Sequence, residues 1–242
     1  MNLEAVKKSI LLFFISLLLI PMATQAEEIK FSEDVLPTES VLPKLDSVDA
    51  VRNRLLSHKG RFEVGLDYLW AIDELFFNTT LYGVQAYYHL NNDFGLGIKY
   101  YQNSPGKNDY GNQFEQIGNP LQFDRAPAPK SITALSLLNR ILYGKISVTK
   151  DTVLPFVVNM EYDLGLNKYG SKMLVYSAIG LSHKIYFKHS IGVGLTYHIQ
   201  VHEVPNPVSV NIREASPTPS ESDFAKKVQI SQSIALGVSY LF

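Results

Sequence analysis

The C-terminal stretch Lys226 to Phe242 (KKVQISQSIALGVSYLF) alternates with a period of two. Val228, Ile230, Ile234, Leu236, Val238, Tyr240 and Phe242 share one side, and Gln229, Ser231, Ser233, Ala235, Gly237 and Ser239 share the other. Only Gln232 interrupts the apolar side. At ~3.3 Å per residue the run reaches the ~9–11 residues with which a tilted strand crosses a hydrocarbon layer. The segment reads as a strand of membrane-crossing length that ends on a bare aromatic residue.

The same alternation recurs upstream. Phe62, Val64, Leu66, Tyr68 and Trp70 oppose Glu63, Gly65 and Asp67; Tyr82, Val84, Ala86 and Tyr88 oppose Gly83, Gln85, Tyr87 and His89. After the turn Asn91-Asn92-Asp93, Phe94, Leu96, Ile98 and Tyr100 oppose Gly95, Gly97, Lys99 and Tyr101. Ser131 to Ile141 is a fourth segment, whose apolar residues fit a short helix nearly as well as a strand. In the fifth, Leu154 to Leu164 alternate against Asn159, Glu161, Asp163 and Gly165; the sixth covers 174–186 and the seventh 191–200. With the terminal strand this predicts an all-β, eight-stranded antiparallel up-and-down barrel over 61–242. The stretches FGLGIKY, IGVGLTY and IALGVSY, beginning at Phe94, Ile191 and Ile234, each close their apolar stripe on a tyrosine. Amphipathic rings at the ends of the stripes predict an aromatic girdle of Tyr68, Trp70, Tyr88, Tyr100, Tyr197 and Tyr240.

Alternation alone does not say which face is inside, because soluble barrels such as lipocalins carry the reverse sense. The terminal strand resembles that of bacterial outer-membrane barrels, whose C-terminal aromatic residue is read by the barrel-insertion machinery. The resemblance implies an insertion signal at Val238, Tyr240 and Phe242, with outer-membrane lipid and that machinery as partners. A transmembrane barrel is also favoured by a glycine-rich opposite face, which makes a poor solvent surface but suits a narrow interior. Lys7 and Lys8 before an apolar run from Ile10 to Ile20, then Ala23-Thr24-Gln25-Ala26, predict an export signal over 1–26; the run is too short for a spanning helix. The acidic, proline-punctuated stretch 27–60 is expected to be a periplasmic leader with one helical turn over 49–56; a docking peptide for another envelope protein is the alternative.

A formal net charge of -1 over 242 residues, with scattered Lys and Arg, argues against a nucleic-acid surface. The absence of cysteine removes disulfides, thiolate metal sites, cysteine nucleophiles and lipoprotein anchoring. The two longest connections, 103–130 and 201–224, are rich in Gly, Pro, Asn and Ser and are expected outside, whereas 91–93, 142–152 and 187–190 are expected as periplasmic turns. An even strand count then places both termini in the periplasm of a Gram-negative envelope.

The stretches RNRLLSHKGRFEVGLDYL (52–69), YHLNNDFGLGIKY (88–100) and NRILYGKIS (139–147) resemble an outer membrane beta-barrel domain family of small exported barrels in gliding and predatory bacteria. This resemblance implies the same fold and compartment, an envelope or motility complex as a partner, and no catalytic residue.

By the phase above, Glu63, Asp67, His89, Lys99, Glu161, Asp163, Lys184 and His198 point into the lumen, where mixed charges need partners. They predict a hydrogen-bonded polar plug; a gated ion path along the same residues is the alternative. Enzyme readings are weak. His198 and His202 stand ~13 Å apart on a strand, Ser182 and His183 face opposite ways, and Gly95/Gly97 and Gly192/Gly194 lack the third glycine and helix of a dinucleotide site. No catalytic residue, cofactor or metal site is expected. The reading is a monomeric barrel with a structural, adhesive or envelope-complex role carried by its outer loops, with a small channel or transport component second and a lipid-modifying enzyme third.

Overall fold

The computed structural model describes residues 54–73, 77–107, 109, 112, 113, 121–149, 152–213 and 216–242. The expected export signal and the leader as far as residue 53, with most of its helical turn, lie outside the described residues; Arg54 to Leu56 are not helical.

Eight strands follow in chain order: β1 (Phe62–Ala71), β2 (Phe77–His89), β3 (Phe94–Lys107), β4 (Pro129–Ser147), β5 (Val153–Tyr169), β6 (Lys172–Phe187), β7 (Ile191–Pro205) and β8 (Lys226–Leu241). Each pairs antiparallel with the next, and β1 pairs with β8 from Glu63↔Leu241 to Ala71↔Ser233, which closes the sheet. Closure leaves no unpaired edge, so backbone donors and acceptors are satisfied without water.

The phase of the pleat gives the barrel its sense. Leu66, Leu135, Ile230 and Val238 stand exposed on the outer face, while Glu63, Lys99, Glu161 and Lys184 are buried inside. A soluble carrier would have these faces exchanged. The outer wall is therefore the lipid-facing surface of a transmembrane barrel, and the interior is filled by buried side chains.

β4 is a strand throughout and longer than the sequence suggests, reaching Ser147 instead of Ile141. A register shift between Arg140 and Leu142 places Arg140 opposite inward Asn159 and Leu142 opposite Val158, with Ile141 exposed. This bulge changes the phase of the alternation midway, which is why Leu137, Leu138, Ile141 and Leu142 fit no single period. The connection expected over 142–152 shrinks accordingly to a hairpin closed by Val148 N donating to Thr152 O at 2.9 Å. At the other end β3 and β7 run on to Lys107 and Pro205, beyond the apolar belt, so both long connections are shorter than predicted.

Inward glycines lie opposite the largest inward side chains. Gly97 faces Tyr87 and Gly194 faces Lys184 across the ladders. A Cβ at Gly97 would strike the Tyr87 ring, and one at Gly194 would come 2.7 Å from the Lys184 stem. The missing side chains are the space into which the ring and the lysine fold.

Candidate functional site

The eight lumen residues named from the sequence are all buried inside the barrel. They form distinct groups. Glu63 is one hub, accepting from Lys184 Nζ at 2.8 Å and Tyr186 OH at 3.2 Å, with His89 Nε2 2.9 Å away. Lys99 is the other, donating to Glu161 at 2.6 Å and Asp163 at 2.8 Å. His198 stands at the margin of this second group, 3.9 Å from Glu161. Asp67 joins neither and is held by neutral donors, Gln85 Nε2 and Tyr101 OH, each at 3.0 Å. Charge-assisted bonds of this length in a low-dielectric interior are strong and rigid.

Toward the loop end the lumen changes character. Leu69, Leu81, Tyr101, Ile132, Ala134, Tyr176, Ala178 and Ala235 form an apolar cluster inside the barrel. Polar plug and apolar plug thus share one interior.

The opposite mouth is closed by the segment that leads into β1. Leu56 packs with Val157, Tyr186 and Leu241, and the His58 ring lies edge-on to His89 at 5.0 Å and Tyr186 at 5.1 Å. His58 N donates to Asn92 Oδ1 at 3.0 Å, and Arg61 donates to the Leu241 and Phe242 carbonyls at 2.8 and 2.7 Å. Residues 54–60, counted with the leader from sequence, are thus packed on the barrel. The sequence shows no alternation there that would reveal this.

Burial, with Arg140 next in weight, pushes His58 down from 6.5 to about 2, so it is neutral when seated. A depressed histidine contributes its full stability above pH 6.5 and loses it as pH falls below that value toward the folded pKa. Seating of residues 54–60 is expected to weaken by about 2 kcal/mol between pH 6.5 and 5. The check is labelling of a cysteine placed at Leu56 in a chain that has none, normalised at each pH to the urea-unfolded protein. His58→Phe should abolish the pH dependence; an unchanged profile would mean that His58 does not control the seat.

At the loop end the two long connections meet. Phe123, Ala126, Ile212 and Phe224 are buried together, with Phe77, Leu121 and Val210 against them. Gln122 N donates to Ile212 O at 3.0 Å, Leu121 bridges Arg213, and Arg125 donates to the Arg213 and Ser216 carbonyls at 2.8 and 2.9 Å. Glu221 accepts from Ser171 N at 2.9 Å and from its hydroxyl, which holds the exposed carboxyl below the ordinary range and ties the β7–β8 connection to the β5–β6 turn. Gly170, at φ 58, leaves room for that carboxylate.

Tyr68, Trp70, Tyr88, Tyr100, Tyr197 and Tyr240, expected to form a girdle, all face outward. Tyr68 and Trp70 pack at 4.5 Å near the loop end of β1; Phe62 with Tyr88, and Tyr240 with Phe242, pack at 4.8 Å near the termini. Beyond Tyr100, β3 continues on its outer side with Gln102 and Ser104. Val238, Tyr240 and Phe242, expected to form an insertion signal, lie exposed on the outer wall, and Phe242 N donates to Phe62 O at 2.7 Å. An exposed ring adds only ~1–2 kcal/mol of packing. Deleting Phe242 is therefore expected to cut membrane-assembled yield in cells severely while leaving detergent refolding nearly normal; equal losses in both assays would reduce Phe242 to ordinary packing.

Sequence reasoning missed Arg140, whose inward neighbours Ile132, Ala134 and Leu138 make that side of β4 look apolar, and the loop cluster, whose members have no periodic signal. Ser182 is buried in the lumen and His183 points outward, so the two cannot act on one substrate. Among the described residues no group of three or more His, Cys, Asp or Glu side chains is arranged to hold a metal.

Fold and interior define a transmembrane β-barrel with a filled lumen. The sequence matches no family model and no curated protein. Among solved structures the chain is similar to the N-terminal β-barrel domain of Pseudomonas aeruginosa OprF (13% identity, 76% of this chain and 98% of that one, TM-score 0.39). It is also similar to Ail, the attachment invasion locus protein of Yersinia pestis (12%, 76% and 99%, 0.36), and to Neisserial surface protein A (10%, 74% and 95%, 0.33). The strand ladders, not these likenesses, establish the fold.

Proposed function

We propose that this protein is a bacterial outer-membrane barrel, with its termini in the periplasm, that presents the folded cap made by its two long connections as a structural or adhesive surface. The carrying observation is the buried cluster of Phe123, Ala126, Ile212 and Phe224, which joins described parts of two connections far apart in sequence at the end opposite the termini. Rigid loops on a closed sheet are how such scaffolds carry recognition, because a pre-ordered surface loses little entropy on binding. An envelope or motility complex is the partner class this reading favours. The interlocked charges and the seated 54–60 segment favour a structural role over a permanent channel.

The experiment pairs two measurements on the intact protein. Cysteines introduced in the cap are labelled with a membrane-impermeant reagent on whole cells, and the purified barrel is tested for conductance in planar bilayers. Labelling at the cap without conductance supports the reading; steady conductance, or a cap labelled only after the outer membrane is breached, overturns it.

A further inference from the structure

Among the described residues, Arg140 is the lumen cation without a carboxylate. Its side chain is nine-tenths buried, and it forms no ion pair, unlike Lys99 and Lys184. Nη1 donates to the Asn92 carbonyl, but Nε and Nη2 have no partner. Across the ladder its neighbour is Asn159, and the neighbour of Asn159 is Ser182; all three face inward. Both amide atoms of Asn159 and the Ser182 hydroxyl are buried and likewise unpartnered. Facing residues on adjacent strands bring their Cβ atoms within about 4.5–5.5 Å, so these three side chains start side by side on the inner wall. His58 stands on the terminal side of it, fully buried and with neither ring nitrogen bonded, tied through its backbone to Asn92, the residue that also holds Arg140.

We propose that Arg140, Asn159 and Ser182 bind a single small inorganic anion of the halide class, with His58 closing the site from the mouth. The chemistry of the donor set carries this. A guanidinium offers five N–H groups, and Asn159 and Ser182 add an amide and a hydroxyl donor. A buried dipole is satisfied by any polar partner, whereas a buried full charge without a counter-charge is strongly destabilising. The carboxylates near enough to act on it are engaged elsewhere: Glu63 by Lys184 at 2.8 Å, and Asp93, which stands exposed, by Arg54 at 3.8 Å. Size follows from burial. Asn159 and Ser182 are 1% and 0% exposed and Leu56 and His58 cover the mouth, so a phosphate-bearing headgroup or peptide has no room.

The test uses purified barrel in detergent at constant ionic strength, with bromide exchanged for gluconate. The apparent melting temperature at a fixed heating rate should rise in bromide by about 5–10 °C at a concentration a hundred times Kd. Arg140→Met should lose the rise, and Ser182→Ala should reduce it. Asn159→Asp should lose it as well, because its own carboxylate then sits against the guanidinium, and this variant decides the matter if Arg140→Met does not fold. Equal melting in bromide and gluconate, or a full rise retained in Arg140→Met or Asn159→Asp, overturns the proposal. A bromide anomalous peak beside Arg140 in crystals would support it, and an ordered water with no anomalous signal at saturating bromide would overturn it.

Discussion

Glu63→Ala is expected to lower the unfolding free energy of the refolded barrel by about 3–5 kcal/mol, the largest effect of any truncation in the lumen. Glu63 is the shared acceptor for Lys184, His89 and Tyr186. Truncation leaves the Lys184 ammonium buried at 4% exposure with its carboxylate gone. The loss comes from that stranded charge rather than from the bond itself, so Glu63→Ala combined with Lys184→Met should recover most of it. The measurement is urea unfolding in detergent, followed through the single tryptophan, Trp70. A loss below about 1 kcal/mol, the range of a solvated ion pair, would mean that water reaches this hub freely.

Leu236→Arg is the second large effect, at about 2–4 kcal/mol, because it places a cation on the lipid face in the apolar belt. Leu236 is half exposed on the outer wall, two residues before Val238 on the same stripe. The comparison is Gln232→Arg, on the same face nearer the loop end, where Tyr197 OH donates to Gln232 at 2.5 Å and the expected cost falls to about 0–1 kcal/mol. Both are read by unfolding in the same lipid. Equal costs, or a dearer Gln232→Arg, would contradict the assignment of the outer wall to lipid. The inward face offers no milder site, since Ser233 is fully buried and accepts from Gln200 Nε2 at 2.7 Å. Arginine there has no space and is expected to prevent closure.

The candidate site was legible to different depths. That Glu63, Lys99 and Glu161 face one side of their strands follows from a period of two, and the structure has them inside. Who pairs with whom does not follow. Lys99 and Glu161 are 62 residues apart, and Lys184 and Glu63 are 121 apart; they meet only because intervening ladders and the β1–β8 seam bring their strands to the same depth. Alternation records the face of each strand but not the stagger between strands, and a slip of two residues would keep every face and change every pair. Arg140 was missed because its inward neighbours on β4, Ile132, Ala134 and Leu138, are apolar, so that face does not read as a lumen face, and the bulge just after it breaks the phase from the other side.

By itself the sequence determined seven of the eight strands, their apolar and polar sides, and the aromatics at the stripe ends, because burial of one face is a local demand written at every second position. Tertiary structure alone decided the hubs at Glu63 and Lys99, the apolar upper lumen, the seating of residues 54–60 and the contact between the two long connections. Those depend on closure, stagger and the meeting of aperiodic segments, where the energy lies in contacts between residues far apart in the chain and no local pattern carries it.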